Sequence, residues 1–435
     1  MSLFLGIDLG TSYFKAGIYD GSGRLCGLGR LALPKKTDGG RCEVPIRDFW
    51  ETVAGCIAGA IADAGISAAD IAAVSYSSQA NSFVLLDYCG VPLTPLILWC
   101  DHRSKGECEK LRALDAAPGF IRTTGLGIAL DEEFMLSKLD WFQQHEALVW
   151  DQTSSVMTIS DYLVWGLTGS RVGDCSTAAM TALLDVAGGC WWPEALETFG
   201  LKESMLSRPL ASGTLAGRVT EFGSALSGLS EGTPLYLGCL DHYAVAIGAG
   251  VLEGRRISES TGTVLAAVGY REGYSPRKGV ITGPGPQAGR YFQMAFDPNG
   301  ATAVEWYQKN YAPDKTILQL EDEARNVPAG CDGLRALPRS DTYPGLEGFV
   351  NIKPEHTPGH FLRAIFESTA ATLVGLVDAL DPERQVTEII PSGGGARNTL
   401  WLEIKADMLH RRYLPQASGE LATKGAATIA NNANK

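Results

Sequence analysis

The chain has 435 residues, a formal net charge of −12 and 45% hydrophobic residues. That length exceeds what one compact core supports, so two domains are expected, and the acidic balance with no long lysine/arginine run argues against a nucleic-acid or membrane-surface protein. The ten cysteines lack any CxxC pair, which reads as reduced thiols of a cytoplasmic protein. Met1-Ser2-Leu3 leads straight into an apolar run without a signal-peptide pattern, and no stretch is long and apolar enough to span a bilayer.

Residues 3–7 and 13–20 read as strands, with Phe14, Ala16 and Ile18 on one face at the period-two spacing of a half-buried strand. Between them lies Gly6-Ile7-Asp8-Leu9-Gly10-Thr11-Ser12, a glycine hairpin whose N–H groups around Gly10, Thr11 and Ser12 can form an anion-binding nest. Asp8 at its mouth is a candidate to hold a divalent cation through water. A P-loop needs a lysine and then a helix; here a strand follows. A turn at 20–24, a third strand at 25–33, an amphipathic helix at 45–64 (Phe49, Trp50, Val53, Ile57, Ile61) and a buried strand at 71–79 with a polar end complete an α/β pattern. Trp99-Cys100-Asp101-His102-Arg103 then precedes a more helical region, with helices expected at 136–145 and 161–169. A strand over 234–241 delivers Asp241 to the head of a helix, where aspartate is also a good N-cap.

The opening pattern recurs at 257–268 as strand, Thr261-Gly262-Thr263 turn, strand. Such a repeat argues for two domains built alike with a cleft between them and a boundary near residue 250. A glycine/proline-rich loop (279–289), a helical stretch (301–310), a loop-rich segment to 359 and a long helix (358–380) follow. The strand at 388–392 runs into Gly393-Gly394-Gly395-Ala396-Arg397-Asn398, which opens a helix at 399–409. A glycine loop at a helix N-terminus is a ready phosphate cradle. His356 and His360 are four apart, but Pro358 between them disfavours a shared metal and leaves them as surface or capping residues.

The order Asp-Leu-Gly-Thr-Ser, Trp-x-Asp-x-Arg, Gly-x-x-Asp, Thr-Gly-Thr, Gly-Gly-Gly-Ala-Arg-Asn resembles the FGGY family of carbohydrate kinases, nearest to its xylulose kinase branch. Supporting stretches are Lys138-Leu139-Asp140-Trp141, Arg363-Ala364-Ile365-Phe366-Glu367 and Trp401-Leu402-Glu403-Ile404-Lys405-Ala406-Asp407. The resemblance implies an α/β protein of two actin-like/ribonuclease-H-like ATPase domains with a central cleft. Residues 1–250 would bind sugar and phosphate, and residues 251–435 the nucleotide. It implies transfer of the γ-phosphoryl group of ATP, with Mg²⁺, to a hydroxyl of a ketose such as xylulose or of a polyol. Asp241 resembles the catalytic base, and Asp8 lies near the metal. Gly10, Thr11, Ser12, Lys15, Gly262 and Thr263 would meet the phosphates, and Gly394, Gly395 and Asn398 the adenosine. Gln79, Asn81, Trp99 and Asp101 would contact the sugar, the alternative for Asp101 being a structural pair with Arg103. Family habit extends to a homodimer, for which no sequence pattern speaks.

The sequence departs from the family pattern in three places. Ser78-Gln79-Ala80-Asn81-Ser82 stands where the family has Gly-Gln-Met-His-Gly, so the pocket is not that of a typical xylulose kinase. Asn299-Gly300-Ala301 fits the adenine-flanking segment only approximately, and the chain reads as a truncated or unusually short member, for which the final helix near the nucleotide is expected to be absent. Two other classes share the fold pattern: an actin-like ATPase of chaperone or filament type, and a catalytically inactive sugar-binding homologue.

Overall fold

The computed structural model describes residues 2–106, 108–253, 255–262, 264–298, 300–338, 346–416 and 420–435. The chain forms two compact units, one of residues 1–248, 271–292 and 420–435, the other of 249–270 and 293–419.

The first unit opens with an antiparallel meander, β1 (Leu3–Leu9), β2 (Tyr13–Asp20) and β3 (Leu25–Ala32). Helix α1 (Ile46–Ala64) follows and buries Phe49, Trp50, Val53 and Ile57 of the stripe its spacing predicts, while Ile61 is only half-buried. Strand β4 (Ile71–Ser78) returns parallel to β1, with Asp8 opposite Ser77 and Leu9 opposite Ser78. The apolar faces of these strands and of α1 make one core that includes Leu5, Ile7, Phe14, Ile18, Phe49, Val53, Val74 and Tyr76. A long excursion then adds three short strands (Phe83–Leu86, Leu96–Ile97, Ser155–Thr158) to the pair Lys36–Asp38 and Arg41–Val44 that precedes α1, making a second sheet of five, and goes on to helix α2 (Ile159–Thr168) and the one-turn helix α3 (Cys175–Ala179).

The chain rejoins the main sheet as β5 (Pro234–Tyr236) and β6 (Cys239–Leu240), both parallel to β4, and enters helix α4 (Asp241–Gly248). The single strand expected over 234–241 is therefore two short pieces. Leu237 N–H leaves the ladder for the Thr214 carbonyl at 2.9 Å. Gly238 presses onto β4 so closely that a Cβ there would sit 1.8 Å from the Tyr76 carbonyl oxygen.

Helix α2 starts with a capping box in which Thr158 and Asp161 exchange hydrogen bonds, and it stops at Gly169 in the left-handed region (φ 73°). Burial, and after it the charge of Asp174, pushes the Asp161 carboxyl up to about 7. A carboxyl raised in the folded state adds stability at low pH that is lost as pH rises from its ordinary range through that value. The melting-temperature difference between Asp161→Asn and wild type is therefore expected to move in the variant's favour from about pH 5 to about pH 8. A difference that stays flat in a thermal-denaturation series over that range would contradict this.

The second unit is built on β7 (Arg256–Thr261), β8 (Leu265–Glu272) and β9 (Arg290–Asp297), the division of the chain falling within β8 and β9. Helix α5 (Pro358–Leu380) leads to β10 (Glu388–Ser392), parallel to β7. Helix α6 (Thr399–Leu409) leads to β11 (Arg412–Tyr413), parallel to β10. The sheet order β9-β8-β7-β10-β11 repeats the order β3-β2-β1-β4-β5 of the first unit. The weak echo of Thr-Gly-Thr thus marks a repeat of the whole sheet. Segment 317–325, expected as loop, is a helix opened by a capping box of Thr316 and Gln319, with Leu320 and Ala324 buried. His360 closes the capping box at the head of α5 with Thr357, and its Nε2 lies 3.2 Å from Asp332.

The last helix, α7 (Leu421–Ala433), belongs to the first unit, although its place in the sequence sets it with the second. It lies against β1 and α4 through backbone contacts that only glycine permits. A Cβ at Gly6 would sit 2.0 Å from the Thr423 carbonyl oxygen, and one at Gly425 would sit 1.9 Å from that of Ala244. The Tyr19 hydroxyl shares a 2.8 Å hydrogen bond with Thr423 Oγ1, and Lys15 pairs with Glu420 at 2.8 Å. Among the described residues no helix is long and apolar enough to cross a membrane.

Candidate functional site

Three parallel strands end level with one another in the first unit. Leu9 of β1 and Leu240 of β6 both lie opposite Ser78 of β4. The chain continues from them into Gly10, Gln79 and Asp241. Parallel strands aim their last carbonyls and the following loops in one direction, which is where α/β proteins place ligands.

Asp8, one residue before the end of β1, is 8% exposed and accepts a 2.8 Å hydrogen bond from Ser77 Oγ. Burial pushes its carboxyl up to about 6. Lys15, its cross-strand partner, and Ser77 oppose the rise, and the charge of Asp241 adds to it. Asp8 therefore feels Asp241 as a like charge. Asp241 is half-buried at the first position of α4, and its Oδ1 accepts from the His242 N–H at 2.7 Å.

The Gly10-Thr11-Ser12 turn is held from one side by side chains. Gln79 donates to the Gly10 carbonyl at 3.3 Å, and its Oε1 accepts from the hydroxyls of Thr11 (3.3 Å) and Ser82 (2.9 Å). Trp99 Nε1 donates to Thr11 Oγ1 at 2.8 Å. At Gly10 a Cβ would come within 2.8 Å of the Tyr13 carbonyl oxygen, so the tight turn requires glycine. Gln79 and Trp99, expected at a sugar, thus brace the Gly10-Thr11-Ser12 turn, and Trp99 is partly exposed.

Asn81 and Asp101 are hydrogen-bonded to the protein itself. Asn81 sits in the left-handed region (φ 61°), donates to the Met180 carbonyl and accepts from the Met135 N–H, both at 3.1 Å. Asp101 is fully buried, with Oδ2 accepting from the Cys42 N–H at 2.6 Å and both oxygens bonded by Arg103 at 2.7–3.1 Å. Burial pushes its carboxyl up, but the Arg103 and Cys42 hydrogen bonds outweigh this and hold it below its ordinary value. Arg103 also reaches Glu43. The geometry is that of the structural Asp–Arg pair.

The helix expected over 136–145 spans Met135–His145, and Asn81 anchors its start; no role was expected there for Lys138 or Glu133. Lys138 is completely buried there with its ammonium on the carbonyls of Glu132, Glu133 and Phe134, and burial pulls its pKa down to about 8. Half-buried Glu133 is raised to about 7 by burial and by Asp131. A lysine at helical spacing before Trp141 was a visible sign; its burial was not.

In the second unit, the bend at Gly262 ends β7 and the Gly393-Gly394-Gly395 loop ends β10, with Ser260 opposite Ser392. A Cβ at Gly395 would sit 2.7 Å from that of Thr261, so the two loops touch. Beneath them Lys405, fully buried, reaches Glu259 at 2.7 Å and Thr261 Oγ1 at 2.5 Å. Asn398 caps α6 by accepting from the Trp401 N–H at 2.9 Å and donates to Glu321 at 2.7 Å. Thr263 and Asn299 lie outside the described residues.

Two α/β units with one strand order, a carboxylate pair at the strand ends of one and a glycine loop opening a helix in the other, define the actin-like class of ATP-using proteins. The chain belongs to the FGGY family of carbohydrate kinases: the family's N-terminal domain matches residues 3–248 and its C-terminal domain residues 326–433. It is thus an ATP-dependent carbohydrate kinase. It is 26% identical over 444 residues to a xylulose kinase of Bacillus subtilis (strain 168), covering 99% of this chain and 88% of that protein. It is 28% identical over 461 residues to a glycerol kinase of Trichlorobacter lovleyi, covering 99% and 90%. The solved xylulose kinase of Rhodospirillum rubrum superposes with a TM-score of 0.89 at 26% identity, covering 100% of this chain and 91% of that one.

Proposed function

We propose that the protein phosphorylates a hydroxyl of a ketose of the xylulose type, with Asp241 as the general base. The carrying observation is the position of Asp241 directly after β6, level with the Gly10-Thr11-Ser12 turn and electrostatically coupled to Asp8. Asp241 accepts the proton of the acceptor hydroxyl as that oxygen bonds to the γ-phosphorus. The bond from the γ-phosphorus to the bridging oxygen breaks, and ADP leaves with the electron pair. The N–H groups of Gly10, Thr11 and Ser12 and the Lys15 ammonium stabilise phosphate charge; Gly262, Gly394 and Gly395 let phosphate and nucleoside approach backbone closely. The relatives favour a ketose: several at 26–27% identity are xylulose kinases.

Mg²⁺ fits the residues present. Two like-charged carboxylates, one buried and raised, make a hard-oxygen set that a small divalent cation would neutralise. Such an ion keeps several waters and binds through one or two carboxylates and the substrate phosphates. Asp8 would hold it, and the ion would supply charge neutralisation at the phosphates. Asp8→Ala is expected to lower Mg²⁺-supported turnover by ~10²-fold or more and to raise the Mg²⁺ concentration for half-maximal rate. An unchanged Mg²⁺ titration of a folded variant would remove Asp8 from this role.

The substrate assignment is tested by ADP release over a panel of ketopentoses, ketohexoses, polyols and glycerol. A ketopentose with the highest kcat/KM supports it; a clear preference for glycerol or another polyol overturns it.

A further inference from the structure

Asp241 is held by very little regular structure. The strand that delivers it has two residues, and Leu237 and Gly238 just before it are out of the sheet ladder. Its position is set instead by a buried hydrogen-bonded bracket. The Leu240 N–H, on the residue before Asp241, donates to Ser176 Oγ at 2.9 Å. The Ser176 hydroxyl donates to Asp174 Oδ1 at 2.6 Å, and that oxygen also accepts the Thr177 N–H at 2.7 Å. The other oxygen, Oδ2, accepts the Tyr76 hydroxyl at 3.0 Å. Tyr76 is the β4 residue onto whose carbonyl Gly238 is pressed. Asp174, Ser176 and Tyr76 are each at most 1% exposed. One carboxylate therefore ties down both sides of the 238–240 segment, through Ser176 above Leu240 and through Tyr76 beneath Gly238.

We propose that Asp174, acting through Ser176 and Tyr76, is a positioning residue that fixes where the Asp241 carboxylate stands relative to the ends of β1 and β4. The proposal rests on the reading of Asp241 as the base. None of the three touches substrate. Their effect is on the register of β6, and a displacement of about 1 Å at a reacting group is enough to cost ~10²-fold in rate. The bracket also explains why α3, a single turn remote from the strand ends in sequence, is capped by a fully buried aspartate when an exposed serine or threonine would cap it equally well.

The test is a double-mutant cycle of Ser176→Ala and Asp241→Asn, with steady-state kinetics on the best acceptor of the sugar panel and ATP. Ser176→Ala is expected to lower kcat ~10–10²-fold with both KM values within ~3-fold of wild type, since it moves a group used in the transition state. On the residual rate of Asp241→Asn, Ser176→Ala is expected to change nothing further, because its effect passes through the carboxylate already removed. A purely structural role would instead lower stability and act equally in both backgrounds. Tyr76→Phe removes the other arm and is expected to lower kcat in the same direction; it carries the test if Ser176→Ala does not fold. Folded Ser176→Ala and Tyr76→Phe with wild-type kcat, or equal losses in both backgrounds, overturn the proposal while leaving the base assignment intact. Near-wild-type turnover by Asp241→Asn alone overturns the base assignment and the proposal with it.

Discussion

Asp241→Asn is expected to lower kcat by ~10²–10⁴-fold while changing sugar affinity only a few-fold. The substitution keeps the volume at the head of α4 and keeps an oxygen that can accept the His242 N–H, now 2.7 Å from Asp241 Oδ1. It removes the basic oxygen and the charge that Asp8 senses. Binding of a neutral sugar depends on neither, so the loss falls on kcat. The charge change has a second readout. Since Asp241 raises Asp8, the Asp8 carboxyl in the variant titrates lower than in wild type, a shift that carboxyl NMR measures directly. A variant with near-wild-type kcat, or one whose loss lies wholly in KM, would remove Asp241 from the chemistry.

The second large effect concerns the seam between α4 and α7. Gly425→Ala adds a methyl group 1.9 Å from the Ala244 carbonyl oxygen, a backbone atom that no side-chain rotation can relieve. The helices must separate, at a cost of ~1–3 kcal/mol or more. For a unit of this size that corresponds to a fall in melting temperature of ~2–5 °C. Ala244 is one turn beyond Asp241 on α4, so kcat falls with stability. The same substitution at Gly375, inside α5 where a Cβ meets nothing within 4 Å, is expected to be neutral or to stabilise by up to ~1 kcal/mol through helix propensity. Equal melting temperatures for the two variants would show that the seam is not tight.

Much of this architecture can be read from the chain. Phe14, Ala16 and Ile18, and the stripe Phe49, Trp50, Val53, Ile57, carry their periodicities openly because each buries one face of a regular element. The repeat of the sheet is legible only as Thr-Gly-Thr, because a strand order leaves no local pattern; it is written in pairings between distant residues. The break at Leu237-Gly238 and the return of α7 to the first unit were hidden for the same reason. Gly238 and Gly425 are ordinary glycines until the backbone opposite them, at Tyr76 and Ala244, is known. The helix at 317–325 is different: Thr316 and Gln319 spell a capping box before Leu320 and Ala324, and that signal was readable.

The candidate site divides along similar lines. Asp8, Gly10 and Asp241 stand out because strand ends, glycine turns and helix starts have sequence signatures. The polar residues expected at the sugar do not have unique ones. An Asn that bridges two backbone groups, as Asn81 does, and an Asp closed on an arginine two residues away, as Asp101 is, look in sequence like ligand contacts. Only the hydrogen-bond partners separate the two cases. Ser176 was invisible because its partner, the Leu240 N–H, is more than sixty residues away, and Asp174 because its partner Tyr76 is more than ninety away.

The most direct measurement is the ratio of ADP released to sugar phosphate formed, by coupled assay and ³¹P NMR, for wild type and Asp241→Asn with and without the acceptor sugar. Wild type is expected to give one ADP per sugar phosphate and little ADP without sugar, and the variant to lose both products. Rapid ADP release that ignores the sugar, or sugar phosphate formed at an undiminished rate by Asp241→Asn, would contradict it.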